Sequence, residues 1–170
     1  MSQLQTDHLL GPDLGHPRSA IGQRNGAGRP VTDAAGQVLI YTDGACRGNP
    51  GPSAAGWVIY DGAGALIENS GRFLGHRTNN EAEYEAACLG LEAALNRGAR
   101  QVMLRADSQL MIRQLTGVYK VRHPRILPLY QRALRLLLRF DTVACEHVRR
   151  ELNREADAAA NLAIDQAGRS

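Results

Sequence analysis

Four acidic residues, Asp43, Glu83, Asp107 and Asp157, carry the chemistry open to this sequence. Asp43 follows the apolar run 38–41, which reads as a strand buried on both faces. Three glycines and two prolines come within the next nine residues, a dense turn signal. A carboxylate at the mouth of a buried strand is costly unless a cation meets it there, and a metal ion would serve. Alternatively, Asp43 starts the turn through an Asx hydrogen bond. Asp107 ends a second apolar run, 101–106. Glu83 and Asp157 fall in the first turn or so of predicted helices, where an acid gains about 0.3–1 kcal/mol from the helix dipole. Glu83 can also reach back to cap Asn80. Each acid alone therefore has a structural explanation.

Taken together the four point to metal chemistry. If the two aspartate-ended strands are parallel and adjacent, both carboxylates open on one edge of the sheet, where open sheets bind ligands. Carboxylates brought that close raise one another's pKa unless divalent cations neutralise them. Hard oxygen donors without Cys or His beside them suit Mg²⁺, with Mn²⁺ as a substitute. Two such ions about 3.5–4 Å apart can clamp the attacking and leaving oxygens of a phosphodiester, with Asp43 as the bridging ligand.

Positioning these acids requires a sheet and several helices. Residues 55–60 alternate as a second strand, with Trp57 and Ile59 on one face. The turn 61–64 leads into a third strand over 66–74, making an antiparallel meander. Thr78-Asn79-Asn80-Glu81 is a capping-box signature. Beyond it Tyr84, Cys88, Leu91 and Leu95 keep helical spacing until Gly98. A strand reached through a helical crossover, 101–106, is expected parallel to the first. Ser108 caps a short helix through Leu115. Pro124 opens a longer one carrying Ile126, Leu127, Tyr130, Leu134, Leu137 and Leu138. Residues 142–148 form a fifth strand, and Asn153 caps a last helix with Ala156, Ala160 and Ala163.

The chain has 170 residues, enough for one ordinary domain, placed here at 37–168. Residues 1–36 hold six Gly and three Pro and balance three Arg against three Asp, a composition that predicts a disordered, inert tail. Apolar residues make up 44% and aromatics 5%, so the core is aliphatic and alanine-rich. The formal charge is +3, and 19 of the 20 basic residues are Arg, which suits phosphate recognition. Three cysteines without CxxC spacing predict a reducing, cytoplasmic setting rather than disulfides or structural zinc. No run approaches a membrane span and no signal sequence is evident, so no membrane role is expected.

Four motifs add specificity: Tyr-Thr-Asp-Gly-Ala-Cys-Arg-Gly-Asn-Pro-Gly (41–51), Thr-Asn-Asn-Glu-Ala-Glu-Tyr (78–84), Ala-Asp-Ser-Gln (106–109) and Asn-Arg-Glu-Ala-Asp (153–157). In this order and spacing they resemble the motifs of ribonuclease H, type one, over about residues 37–165. The resemblance implies an α/β fold, a mixed five-stranded sheet in order 3-2-1-4-5 with strand 2 antiparallel, flanked by helices. It implies Asp43, Glu83, Asp107 and Asp157 as metal-binding and catalytic residues. It also implies hydrolysis of the RNA strand of RNA–DNA hybrids to 3′-hydroxyl and 5′-phosphate ends, by a monomer with no obligate protein partner. A nuclease that cuts only RNA must sense the 2′-hydroxyl. By resemblance the turn backbone from Gly44 to Cys46, with Asn49, Glu83 and Gln109, lies in the minor groove. Thr78, Asn79 and Asn80 match a DNA-phosphate pocket at a helix N-terminus, a place already suited to an anion.

Two departures place the chain in a compact branch of that family. Only Tyr119-Lys120-Val121-Arg122-His123-Pro124 stands where other members carry a long basic protrusion, so lower substrate affinity is expected. No histidine falls between His147 and Asp157, so a histidine loop is missing; Arg150 or Glu151 is the candidate to take over proton or product handling. His147 itself reads as structural, inside a strand. Between Tyr119 and Arg150 eight basic residues oppose Asp141 and Glu146, a local charge of +6. That stretch is either a solvated helix face or a track for the hybrid backbone, with Arg125, Arg132 and Arg135 as its candidates. The rival functions are a catalytically silent hybrid-binding module, and a related exonuclease or junction resolvase.

Overall fold

In the computed structural model, residues 36–170 are described. The tail expected over 1–36 lies outside the described residues, apart from Gly36. The chain runs through β1 (Gln37–Cys46), β2 (Gly51–Asp61), β3 (Leu66–Arg77), α1 (Asn79–Asn96), β4 (Gln101–Ala106), α2 (Gln109–Leu115), α3 (Leu127–Leu137), β5 (Thr142–His147) and α4 (Arg154–Ala167). A short 3₁₀ turn, Arg150–Leu152, precedes α4. The five strands form one sheet in the order β3-β2-β1-β4-β5. β2 is antiparallel to both neighbours, whereas β1, β4 and β5 are mutually parallel. This is the α/β fold and strand order expected.

One feature of the register creates the site. β1 pairs with β4 only as far as Thr42 and Ala106, but its pairing with β2 continues to Cys46 and Ser53. From sequence, the strand is expected to end at Asp43. In the structure Gly44, Ala45 and Cys46 extend it, because the small residues Ala55, Ala54 and Ser53 of β2 supply the opposite rungs. Asp43 thus sits where β1 loses its parallel partner, and Asp107 is the first residue after β4.

Alternation along β1 sends successive side chains to opposite faces. Val38 and Ile40 are fully buried in the main core with Tyr84, Cys88 and Leu91 of α1. Ala45 joins a second cluster with Ala54, Ala160, Ala163 and Ile164 on the α4 face. α1 begins with the expected capping box: Glu81 N donates to Thr78 Oγ1 (3.2 Å) and Thr78 N to Glu81 Oε2 (2.8 Å). On the other face α4 almost touches the sheet backbone. A Cβ at Gly56 would overlap the carbonyl oxygen of Ala156, and one at Gly71 that of Ala159. Glycine is required at both places because no side chain fits between helix and strand.

Two local expectations are corrected. α3 begins at Leu127 rather than Pro124, because Pro128 supplies the first-turn proline and residues 123–127 form a turn on His123 O. Consequently Ile126 is buried while Leu127 and Leu138 are exposed. Asn153 makes no side-chain cap on α4; its Nδ2 donates instead to Thr42 O (2.9 Å), 111 residues away. His147 falls in a strand as expected, the last residue of β5 and paired with Ala106, and its side chain is exposed.

Gly56→Ala should push α4 off the sheet. We expect a loss of about 1–3 kcal/mol in urea unfolding, the usual cost of overpacking.

Candidate active site

The four acids arrive from four elements. Asp43 stands on β1 beyond its last rung with β4, and Asp107 follows β4. Glu83 lies one turn into α1, and Asp157 in the first turn of α4. Ligand oxygens of Asp43, Glu83 and Asp107 all fall within 4.8 Å of one another. Asp157 comes from the opposite face of the sheet, within hydrogen-bonding reach of Asp43. The residues singled out at strand ends and helix starts therefore converge.

Local packing explains the convergence. Gly44 faces α1 so closely that a Cβ would overlap the backbone at Ala82 and Glu83. The same approach lets Gly44 N–H donate to the Glu83 carboxylate. Ser108 caps α2 by accepting from Met111 N (3.3 Å), which fixes the turn holding Asp107. Asn153, one turn before Asp157, ties the start of α4 to the carbonyl preceding Asp43.

The electrostatics of the cluster suit a cation. Burial, then the charges of Glu83 and Asp107, push the Asp43 carboxyl far above the usual carboxylate range. Burial and Asp107 raise Glu83 as well, and the Gly44 N–H offsets only part of this. Neither acid has a salt bridge among the described residues. Glu83 Oε2 is buried without a hydrogen-bond partner. An unpaired oxygen in a cluster of carboxylates fits a hard divalent cation, and these side chains would hold one.

The candidate substrate contacts surround this cluster. The Cys46 thiol donates to Gly48 O and Arg77 O, which ties the turn to the end of β3. Asn49 Oδ1 accepts from Asn79 N (3.0 Å), which joins the turn to the N-terminus of α1 and occupies one of its free donors. Thr78 is engaged in the capping box, leaving Asn80 as the half-buried partner beside it. Gln109 is exposed at the start of α2. Arg150 is exposed in the 3₁₀ turn, and among the described residues it has no hydrogen bond to any of the four acids. In the basic stretch, Arg132 is bound by Glu85 and Glu92 of α1 and so cannot serve as a free backbone contact. Arg125 and Arg135 are exposed.

Sequence reasoning missed Asn161, whose Nδ2 donates to Asp157 Oδ1 (3.1 Å) and Asp157 O (2.9 Å). The signal was present as an Asp-x-x-x-Asn spacing on one helix face.

These shifts have a testable consequence. Stability contributed by carboxyls with raised pKa is present while they are protonated and lost as they ionise. In chelator the wild type should lose stability relative to Asp43→Asn as pH rises from about 4, the ordinary carboxylate range. Calorimetric scans should show the midpoints converging at about pH 4 and the variant melting higher at about pH 8.

Known proteins bear on this geometry directly. A family model described as reverse transcriptase-like matches residues 41–163. Ribonuclease HI of Halobacterium salinarum is 46% identical over 135 residues, covering 79% of this chain and 68% of that protein. The crystal structure of RNase H1 from that archaeon superposes with a TM-score of 0.75 at 45% identity, covering 76% of this chain and 98% of that one. A bifunctional protein of Mycobacterium tuberculosis is 38% identical over 135 residues, which are 79% of this chain but only 37% of its own length. LC11-RNase H1, solved in complex with an RNA/DNA hybrid, gives a TM-score of 0.73 at 39% identity, over 76% of this chain and 98% of that one. All four acids lie inside the matched span, and strand order and sequence lead to one assignment: this chain belongs to the ribonuclease H family of enzymes, type one.

Proposed function

We propose that the chain is a metal-dependent endonuclease that hydrolyses the RNA strand of RNA–DNA hybrids, leaving 3′-hydroxyl and 5′-phosphate ends. The observation that carries this reading is the trio of carboxylates within 4.8 Å, with a buried Glu83 oxygen left unpartnered. When bound, two Mg²⁺ ions (or Mn²⁺) would polarise the attacking water and take up charge on the leaving oxygen. Asp43, Glu83, Asp107 and Asp157 would hold them.

The surrounding residues have separate tasks. The backbone of the 44–52 turn and exposed Gln109 would read the 2′-hydroxyls of the RNA strand. Asn49, held against Asn79, would keep that turn in register with Thr78, Asn79 and Asn80, which would receive a phosphate of the DNA strand. Arg150, exposed just before α4, would assist product release in place of a histidine loop. All these residues come from one chain, so a monomer suffices. The three unpaired thiols suit a reducing cytoplasm. Among the described residues no helix is long and apolar enough to cross a membrane. A catalytically silent module is disfavoured, because an uncompensated acidic cluster repels nucleic acid.

Asp43→Asn should abolish cleavage of a labelled hybrid in Mg²⁺ or Mn²⁺ while its circular dichroism matches the wild type; substantial remaining activity would refute the reading. Internally and end-labelled substrates would separate an endonuclease from an exonuclease. Binding should also depend on salt through the free arginines. Replacing Arg125 and Arg135 by Gln should reduce the slope of log affinity against log salt by about 0.9 for each phosphate no longer neutralised. Arg132→Gln should leave that slope unchanged and lower stability instead.

A further inference from the structure

Two of the four acids, Asp107 and Asp157, are only half-buried, so what fixes their side chains must come from neighbours. Asp43 and Glu83 are buried and held by strand and helix, but Asp157 is only half-buried on the first turn of α4. A side chain in that setting loses rotamer freedom when it binds an ion, unless something fixes it beforehand.

Asn161 lies one helical turn further along α4 and donates to Asp157 Oδ1 at 3.1 Å. An amide can present either its oxygen or its nitrogen, and a flip would aim an acceptor at the carboxylate. Arg47 removes that freedom. Its Nη2 donates to Asn161 Oδ1 (3.2 Å) and to Asp165 Oδ1 (2.9 Å). A guanidinium has no acceptor, so the amide oxygen must face it and the NH₂ must face Asp157.

We propose that Asn161 is a positioning residue for Asp157, with Arg47 setting the direction of its amide. With Oδ1 bonded to Asn161, the Asp157 carboxylate is held in one orientation and keeps Oδ2 for a cation. Arg47 belongs to the 44–52 turn, whose ends it helps close through Arg47 N to Pro52 O (2.8 Å). The relay therefore joins the turn assigned to the RNA strand to the fourth metal-binding acid. The salt bridge from Arg47 to Asp165 is half exposed, its side chains 49% and 47% accessible, so its weight is geometric more than energetic.

The inference rests on the metal-site reading, and the test separates the two. Mn²⁺ binding to the full chain is measured by calorimetry without substrate, for wild type, Asn161→Ala, Arg47→Met and Arg47→Lys. Asn161→Ala raises helix propensity, so fraying of α4 would not account for a loss. We expect it to weaken Mn²⁺ affinity about 10-fold, as loss of a partner behind a metal ligand does. It should also lower kcat on the hybrid with little change in KM. Arg47→Met should show a smaller loss in the same direction, and Arg47→Lys, which keeps a donor, should restore it. Wild-type affinity and kcat in Asn161→Ala would overturn the inference alone. Absence of Mn²⁺ binding by the wild type would overturn the metal-site reading with it.

Discussion

Crowded negative charge sets the terms for everything else in this fold. Asp43, Glu83 and Asp107 are held within 4.8 Å, two of them almost wholly buried. Isolated side chains would separate or protonate under that repulsion and desolvation. Here the backbone does not let them part. Asp43 is fixed by pairing to β2 on both sides of its position, and Asp107 by a strand that ends beside it. Glu83 is fixed by a helix packed so tightly on Gly44 that no Cβ fits. Folding energy from the core thereby maintains a cluster of charges that is unfavourable by itself.

The helices flanking the sheet reach the site by the same means, close approach at small residues. α1 lies on the β1–β2 face, where a Cβ at Gly90 would stand 3.1 Å from the methyls of Ile40 and Thr42. α4 rests on Gly56 and Gly71 through an alanine face. Asn153 adds a direct tie, since its amide bonds the carbonyl of Thr42 and sets the start of α4 against the strand carrying Asp43.

Where expectation and structure differ, long-range contacts overrode local preference. Asn153 stands at a good capping position, but its Nδ2 donates to a buried strand carbonyl, and its Oδ1 makes no cap. Pro124 and Pro128 both suit a helix start, and the turn on His123 decides between them. Arg132 looked like one of a row of free cations; the acids that bind it, Glu85 and Glu92, lie on α1 and are 47 and 40 residues away in the chain. None of these partners can be identified by spacing along one segment.

The strand order, the helix starts marked by Thr78 and Ser108, and the identity of the four acids were all legible in the amino-acid order alone. The helix starts and the acids at strand ends follow from hydrophobic period, turn chemistry and capping, all local, whereas the strand order came through the family resemblance that four motifs in a fixed order carry. Other features emerged only once the chain was folded: how far β1 extends past Asp43, the tie of the Cys46 thiol to the end of β3, and the meeting of Asn49 with the start of α1. The grip of Asn161 and Arg47 on Asp157 belongs with them. The reason is physical. Local patterns specify which face a residue occupies, whereas the partner of a polar atom is chosen by whichever group the packing of distant elements brings within about 3 Å.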